Sequence, residues 1–344
     1  MPQPRVSVII PVFNRAHFIT GAIESVTRQS LSDLEIIVVD DGSTDASVAA
    51  ARSIADPRVR IVQHERNRGI PDARNTGLDE AQGQYIAWLD SDDLARPDRL
   101  QTQVRYLDQN PSVAMVGCCA GKIRPDGTPL AGIRVPPLES SDIAAWLLFR
   151  SAFQQSSITG RAAILREHRY KPENRVCEDL DVFIRLARAH TIENLPLVLV
   201  DRRIHKDQII RLQENAIHDR KMDLLAAPLR QLGMKFTADD IGRHILLGNP
   251  KAFYPDTEFL GWAECWIAQM RSANARTQYV DADSLRFVTS FFWMRACRAA
   301  FRRAGRWRAA KAALGSPVGA ALFSRRGRAW LREALPLFVG WQLS

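Results

Sequence analysis

The sequence lacks any long run of apolar residues, although 46% of its 344 residues are hydrophobic. No stretch reaches the roughly 18 consecutive apolar residues that a membrane-spanning helix requires. The N-terminal segment MPQPRVSVIIPVFN holds an apolar run of only a few residues, without the basic leader and long apolar core of a signal peptide. We therefore expect a strand there, and a chain that is not integral to a membrane by that route.

Cysteine is also sparse. The five cysteines show neither C-x-x-C spacing nor a plausible disulfide framework; they are Cys118, Cys119, Cys177, Cys265 and Cys297. A reducing compartment suits such a chain best. We expect a cytoplasmic location, either free or in peripheral contact with the inner face of the membrane.

Two glycine-rich phosphate-binding motifs are missing. The sequence contains no G-x-x-x-x-G-K-[ST] loop, and no G-x-G-x-x-G turn follows its first predicted strand. These absences argue against P-loop enzymes and dinucleotide-binding proteins. Phosphate, if it is bound, would have to be held by a metal ion rather than by a glycine-rich backbone.

What the sequence does contain is a regular alternation of strand and helix signals near its N-terminus. Ser43 or Thr44 is expected to cap the second helix. Short apolar runs separated by helices indicate parallel strands covered on both faces, so we predict an α/β fold with a doubly wound, mostly parallel sheet flanked by helices. The strands are predicted in RVSVIIPVF, LEIIVVD, RVRIVQH and QYIAWLD, and the helices around residues 16–29, in STDASVAAARSIA and IPDARNTGLDEAQ, and over residues 97–109.

Five acidic residues follow two of these strands. Asp40 and Asp41 end the second strand, and Asp90, Asp92 and Asp93 follow the fourth. Ligands bind beyond the carboxyl ends of the strands in such sheets, so we expect the five carboxylates to converge on one crevice. A cluster of this kind favours a hard divalent cation, Mn²⁺ or Mg²⁺, which in turn binds phosphate oxygens. The alternative is that each acidic motif is only a turn and a helix cap.

A second group of acids begins the segment CEDLDVFIRLARAH. Leu180, Phe183 and Ile184 form one apolar helical face, which places Glu178 and Asp179 in the first turn, where the helix dipole favours anions. The alternative is an ordinary acidic helix start.

Five segments, in order, resemble the successive motifs of family 2 glycosyltransferases over about residues 4–210. They are VSVIIPVFN, IIVVDDGSTD, NRGIPDARNTGLDEAQGQYIAWLDSDD, CEDLDVFIRLA and RRIHKDQ. The resemblance implies the GT-A fold, a nucleotide-sugar donor that is usually a UDP-sugar, a divalent metal, and inversion at the anomeric carbon.

The same resemblance implies roles for individual residues. In the donor site Pro11 and Asn14 would border the base, and Asp40 would accept a hydrogen bond from a uracil N–H with Asp41 beside it. Arg74 would lie near the nucleotide or diphosphate, and Asp90 would approach the ribose. Asp92 and His205 would bind the metal, and Asp93 would support them. Asp179 would be the catalytic base and Glu178 would orient the acceptor, with Asp181 the less favoured base. For Arg74 the alternative is a surface helix arginine, and for His205 a structural histidine.

These roles predict an enzyme that transfers single sugars to a glycan or lipid-linked acceptor, in cell-surface polysaccharide synthesis. The Q-x-x-R-W motif of processive synthases is missing, because Arg306 and Trp307 have Arg303 three positions before them. We predict a GT-A domain over residues 1–210 and a helical, basic C-terminal region over residues 211–344. The alternative is a catalytically inactive nucleotide-sugar-binding or scaffold protein on the same fold. In the region where many relatives carry His before the serines, Gln154 and Gln155 leave the acceptor contacts open.

Positive charge is concentrated in the last 61 residues of the chain. Residues 284–344 hold twelve Arg and Lys against one acid, Glu333, so their charge is 12 − 1 = +11, whereas the whole chain carries +9. Nucleic acid is not an expected partner, given the acidic crevice and the absence of its motifs. Either this segment contacts an anionic membrane, or its aromatics pack in a bundle with a solvated arginine face. Those aromatics include Phe287, Phe291, Phe292, Trp293, Phe301, Trp307, Phe323, Trp330 and Trp341.

Overall fold

The computed structural model describes residues 3–206, 208, 213–249, 255–301, 316 and 318. These residues form two compact units, apart from the gaps. The first contains residues 3–138 and 153–214, and the second contains residues 139–152, 215–301, 316 and 318. The boundary near residue 210 that the sequence suggested stays a prediction, and the grouping of residues 139–152 with the later residues was not foreseen. Within the described ranges, no helix is long and apolar enough to cross a membrane.

The first unit is built on a nine-stranded sheet, and its first four parallel strands are those predicted from the sequence. They are β1 (Val6–Val12), β2 (Leu34–Asp40), β3 (Val59–Gln63) and β4 (Tyr85–Trp88), which lie in the order β3-β2-β1-β4. Alternate β1 and β2 side chains such as Val8, Ile10, Ile36 and Val38 are fully buried. Burying each such side chain stabilises the fold by about 1.5–3 kcal/mol.

The predicted helices connect these strands. They are α1 (Ile19–Thr27), α2 (Ser47–Arg52), α3 (Ile70–Glu80) and α4 (Arg99–Gln109). The expectation that Ser43 or Thr44 caps α2 is wrong, because the residue before this helix is Ala46. The first turn is instead held by Asp45, whose carboxylate accepts hydrogen bonds from the backbone N–H and hydroxyl of Ser47.

Gly77 sets the distance between α3 and the sheet. A Cβ atom at this position would lie 2.3 Å from Cγ2 of Ile9 in β1, which is far inside van der Waals contact. Only glycine therefore allows this approach. It brings Arg74, one helical turn earlier on α3, towards the ends of the parallel strands.

Beyond β4 the sheet becomes mixed. It contains β5 (Leu94–Ala95), β6 (Val113–Ile123), β7 (Pro129–Arg134), β8 (Thr159–Arg161) and β9 (Thr191–Arg203). Strand β8 is antiparallel to both neighbours, β4 and β6, whereas β6 and β9 run parallel over ten residue pairs. Helices α6 (Ala162–Glu167) and α7 (Glu178–Ala189) lie between β8 and β9 along the chain. The predicted α/β sheet, mostly parallel and flanked by helices, is confirmed.

The second unit is helical, as predicted for the C-terminal region. It contains α5 (Ser140–Trp146), α8 (Glu214–Gln231), α9 (Ala238–Gly248), α10 (Thr257–Thr277) and α11 (Ala282–Phe301). Aromatic rings fill its core; Phe149, for example, stacks on Phe292 at 4.6 Å between centroids. Of the aromatics in the basic segment, Phe287, Phe292 and Trp293 are at most 1% exposed, so this part of the segment packs. Residues 302–315, 317 and 319–344 lie outside the described residues.

Candidate active site

The loops after β1 and β2 are tied to each other. Pro11 is buried within β1, and Asn14 follows this strand in the left-handed conformation, with φ of 51°. Its backbone N–H donates to Ser43 Oγ at 3.0 Å, and its side-chain Oδ1 accepts from the Thr44 N–H at 2.9 Å. The Asp40 carboxylate, 2% exposed, accepts from the Ser43 N–H at 3.2 Å. These bonds fix the predicted base-binding residues in one loop pair.

Asp41 holds a different loop. Its carboxylate accepts from the backbone N–H groups of Arg68 and Gly69, at 2.9 and 2.8 Å, and lies 2.7 Å from His64 Nδ1. These contacts fix the turn that enters α3. They give Asp41 a structural task, and its predicted place in the donor site stays a prediction.

Arg74 is the centre of a buried charge cluster. It is 3% exposed, so the surface alternative is wrong. One guanidinium nitrogen donates to Glu178 and the other to Asp90 at 3.2 Å. The guanidinium also lies over the ring of Tyr170, with Cζ 5.2 Å from the centroid, a cation–π contact. Residues from α3, the loop after β4, and α7 thereby meet around one cation.

Burial shifts the acids of this cluster towards their neutral forms. Burial raises the pKa of Glu178 to about 7, with Asp179 adding to the shift and Arg74 opposing it. Burial likewise raises the pKa of Asp90, against the effect of Arg74 and with the help of Asp92. For Arg74 itself, burial alone would lower the pKa, but Glu178 and the other nearby groups raise it above its usual value. Arg74 therefore stays charged and binds the acids around it.

Asp92 and His205 form the next pair. Asp92 Oδ2 lies 2.7 Å from His205 Nε2, and the imidazole, 6% exposed, packs on Phe18 at 4.9 Å between centroids. Asp92 retains 17% side-chain exposure. Divalent ions such as Mg²⁺ are commonly held by one or two carboxylates together with substrate phosphates, so the partly exposed Asp92 carboxylate fits this role.

Asp93 holds the loop after β4 in place through hydrogen bonds of its carboxylate. It is 1% exposed; one carboxylate oxygen accepts from the Ser156 hydroxyl at 2.5 Å and the other from the Arg203 N–H at 2.9 Å. Burial and the neighbouring Asp92 and Asp90 raise its pKa well above the usual range. Ser156 and Arg203 could not be identified from the sequence, because their contacts with Asp93 join segments that are distant along the chain.

Glu178 and Asp179 are adjacent in sequence but differ in environment. They begin α7, after Cys177 in the left-handed conformation with φ of 57°. Glu178 is buried on Arg74, whereas Asp179 is half-buried. The neighbouring Gln155 is also buried, and its amide donates to the Tyr170 hydroxyl at 2.7 Å. Tyr170, which no sequence motif singled out, thus joins Arg74 to the residues before β8.

The chain is similar to known glycosyltransferases. Residues 7–162 match the family described as Glycosyl transferase family 2. An uncharacterized glycosyltransferase of Haemophilus influenzae is 27% identical over 257 residues, which are 72% of this chain and 78% of that protein. The succinoglycan biosynthesis protein ExoO of Rhizobium meliloti is 46% identical over 105 residues, but the match spans only 30% of each chain.

A solved structure gives the same result for the fold. The crystal structure of S. aureus TarS 1–349 in complex with UDP-GlcNAc aligns with a TM-score of 0.55 at 17% identity, over 91% of this chain and 92% of that one. This likeness confirms the expected GT-A fold. The match over residues 7–162 and the named relatives confirm the predicted resemblance to family 2 glycosyltransferases and the predicted class of enzyme.

Proposed function

We propose that this protein transfers single sugars from a nucleotide-sugar, with inversion, to a hydroxyl of a glycan or lipid-linked acceptor. The observation that carries the proposal is the pairing of its acids: Asp92 with His205 at 2.7 Å, and Arg74 with both Asp90 and Glu178. An inert relative has no chemical need to retain all of these groups in one place.

The donor end of the site is assigned to the loops after β1 and β2. Asp40 would accept a hydrogen bond from a uracil N–H, with Pro11 and Asn14 beside the base, and Asp90 would approach the ribose. A UDP-sugar is the donor that these groups suit best. The TarS structure with bound UDP-GlcNAc supports a nucleotide-sugar of this kind.

Asp92 and His205 are assigned to the divalent metal. Mn²⁺ or Mg²⁺ held there would neutralise the negative charge that develops on the leaving diphosphate. The adjacent His205 fixes the orientation of the Asp92 carboxylate, and Asp93 fixes the backbone of the same loop.

Asp179 is assigned as the general base. Glu178 is already committed to Arg74, and Asp179 is the half-buried neighbour at the same helix terminus. Its carboxylate oxygen would take the proton of the acceptor hydroxyl while that hydroxyl oxygen attacks the anomeric carbon and the diphosphate leaves. Such a displacement inverts the configuration at that carbon. Asp181 is less suited, because both its oxygens already bind Lys171 and Arg185.

The acceptor is proposed from chemistry and from one relative. ExoO is named for succinoglycan biosynthesis, which supports a glycan as the growing product. We place the reaction in cell-surface polysaccharide synthesis, in the cytoplasm or at the inner face of the membrane.

A panel of UDP-sugars, incubated with the protein and Mn²⁺ or Mg²⁺, tests the proposal. We expect metal-dependent release of UDP from one donor or a few, and loss of that release with a chelator. If UDP binds but no donor in the panel is hydrolysed or transferred, the inactive nucleotide-sugar-binding alternative is supported instead.

A further inference from the structure

His168 and His190 form a histidine pair that none of the proposed roles uses. Their Nε2 atoms lie 3.1 Å apart and their rings are nearly perpendicular, at 86°, with centroids 5.1 Å apart. Glu167 joins them, and one ligand atom from each of the three residues lies within 4.8 Å of the other two. Among the residues that the structure describes, these three form the group of His, Cys, Asp or Glu side chains close enough together to bind one metal ion.

Two ring nitrogens at this separation need a proton or a metal ion between them, because facing lone pairs repel. Either one neutral ring donates an N–H···N hydrogen bond to the other, or both rings bind one metal ion. In a tetrahedral zinc site, Zn–N distances of about 2.0–2.1 Å place two ligand nitrogens about 3.3 Å apart. The observed 3.1 Å lies close to that value, so small rotations of the rings suffice to receive the ion.

The helix ends beside this pair favour a cation. His168 directly follows α6 and His190 directly follows α7, and their backbone N–H groups donate to Ile164 and Leu186 carbonyls, at 3.2 and 2.8 Å. The carboxyl ends of helices carry partial negative charge. Arg185, the nearby cation, opposes positive charge at this pair, but its guanidinium also pairs with Asp181, with Nε 2.9 Å from that carboxylate. Burial, the neighbouring His190 and Arg185 also lower the pKa of His168, which favours the neutral ring that binds metals.

We propose that His168, His190 and Glu167 form a second metal site, for a transition-metal ion of the zinc class. Two imidazole nitrogens and one carboxylate oxygen, completed by water, are a donor set suited to Zn²⁺. Mg²⁺ and Mn²⁺ prefer oxygen ligands. The site therefore differs in chemistry from the pair Asp92 and His205, which is proposed to hold one of those harder ions.

A metal ion at this site would link the two ends of the segment between His168 and His190, which carries active-site residues. His168 and His190 are 22 residues apart, and the chain between them contains Tyr170, beneath Arg74, and the start of α7 with Glu178 and Asp179. An ion held by both histidines would stabilise this segment by closing that loop in the folded state and by binding the folded state preferentially.

The test measures Zn²⁺ binding by equilibrium dialysis and metal analysis in the full chain carrying Asp92→Asn, which removes the other proposed site. We expect one Zn²⁺ per chain, and a rise in melting temperature of at least about 2 °C at saturating ion. His168→Gln and His190→Gln should each abolish both effects. His218→Gln, at a half-exposed histidine on α8, is the matched control and should change neither.

Glu167→Ala keeps the test valid if a histidine variant fails to fold. Glu167 is exposed, so its removal should leave the fold intact and weaken Zn²⁺ binding by at least about 10-fold. Unchanged affinity in Glu167→Ala together with unchanged stoichiometry in the folded histidine variants would overturn the proposal. So would the absence of Zn²⁺ binding at micromolar ion, which would leave a shared proton between the rings.

Discussion

At the scale of single residues, the five acids that follow β2 and β4 divide into two kinds. Asp40, Asp41 and Asp93 have their carboxylates bonded to backbone N–H groups, so they hold the loops in place. Asp90 and Asp92 instead meet Arg74 and His205. Burial and the neighbouring carboxylates raise the pKa values of Asp90 and Asp93, although Arg74 opposes the shift at Asp90.

Substitutions of Asp179 and Glu178, the adjacent acids at the start of α7, distinguish a catalytic base from a buried ion-pair partner. Asp179→Asn should lower transfer by about 10²- to 10⁴-fold with nearly unchanged donor affinity, as expected for loss of a general base. Its melting temperature should stay near that of the unmodified protein, because Asp179 is only half-buried. Transfer assays, donor titration and thermal unfolding measure the three quantities.

Glu178→Gln is the matched variant. It leaves the buried Arg74 without its main counter-charge, so we expect a loss of stability of about 3 kcal/mol. If Asp179→Asn transfers sugar normally while Glu178→Gln is folded and inactive, the base must be Glu178.

At the scale of elements, the sequence predicts the parallel half of the sheet well. Each of β1 to β4 is a short β-branched or aromatic run bounded by turn residues, and each pairs with a neighbour over four or more residues. Strand β8, with only Thr159–Arg161, escaped prediction because it is too short to show a period. The cap of α2 was also predicted wrongly, because Ser43 and Thr44 form hydrogen bonds with Asn14 in the neighbouring loop instead.

The candidate site was only partly predictable in the same way. Acids at strand ends can be found from sequence, because parallel strands share an edge. The burial of Arg74 could not be found from sequence, because its partners are distant along the chain. Tyr170 is 96 residues away and Glu178 is 104 residues away.

Helix α9 supplies a pH-dependent prediction. His244 is fully buried; its Nε2 bonds to the Leu148 carbonyl at 2.7 Å, and its Nδ1 accepts from the Trp266 indole N–H at 2.9 Å. Burial lowers the pKa of His244 to about 4, from 6.5. Between pH 6.5 and pH 4 the unfolded chain therefore binds a proton at His244 that the folded chain does not bind. The free energy of unfolding is highest above pH 6.5 and falls as the pH drops towards 4. We expect a loss of about 2 kcal/mol between pH 7.5 and pH 5 from this group.

Denaturant unfolding of the helical unit at the two pH values checks this expectation, with His244→Gln as the comparison. The glutamine amide can still donate to the Leu148 carbonyl but does not titrate. An equal loss in both proteins would show that His244 is not the group responsible.

At the scale of the whole molecule, the basic C-terminal segment divides at residue 301. Its first part belongs to α11, where Phe292 and Trp293 are fully buried, so a truncation near residue 283 would remove core packing. The remaining residues 302–344 carry nine of the twelve cations. Basic residues that reach an anionic membrane contribute about 1 kcal/mol each.

We therefore predict that the full-length protein sediments with vesicles containing anionic lipid, and less so as salt screens the charges. Removal of residues 302–344 should abolish sedimentation. Circular dichroism checks that the remainder stays folded, because the removed Val318 is buried and its carbonyl accepts hydrogen bonds from Arg271 and Ser290. Vesicles of zwitterionic lipid are the control. Failure of the full-length protein to bind anionic vesicles at low salt would leave packing as the explanation of the segment.

The central claim is that the acids after β4 hold a metal ion for a nucleotide diphosphate, and calorimetry of UDP binding in the presence of Mn²⁺ tests it most directly. We expect Asp92→Asn to weaken this binding by at least about 10-fold while circular dichroism stays unchanged. Asp239→Asn, which neutralises a 73% exposed acid on α9, should bind as the unmodified protein does. Equal UDP affinity in Asp92→Asn and the unmodified protein, with Mn²⁺ present, would contradict the account.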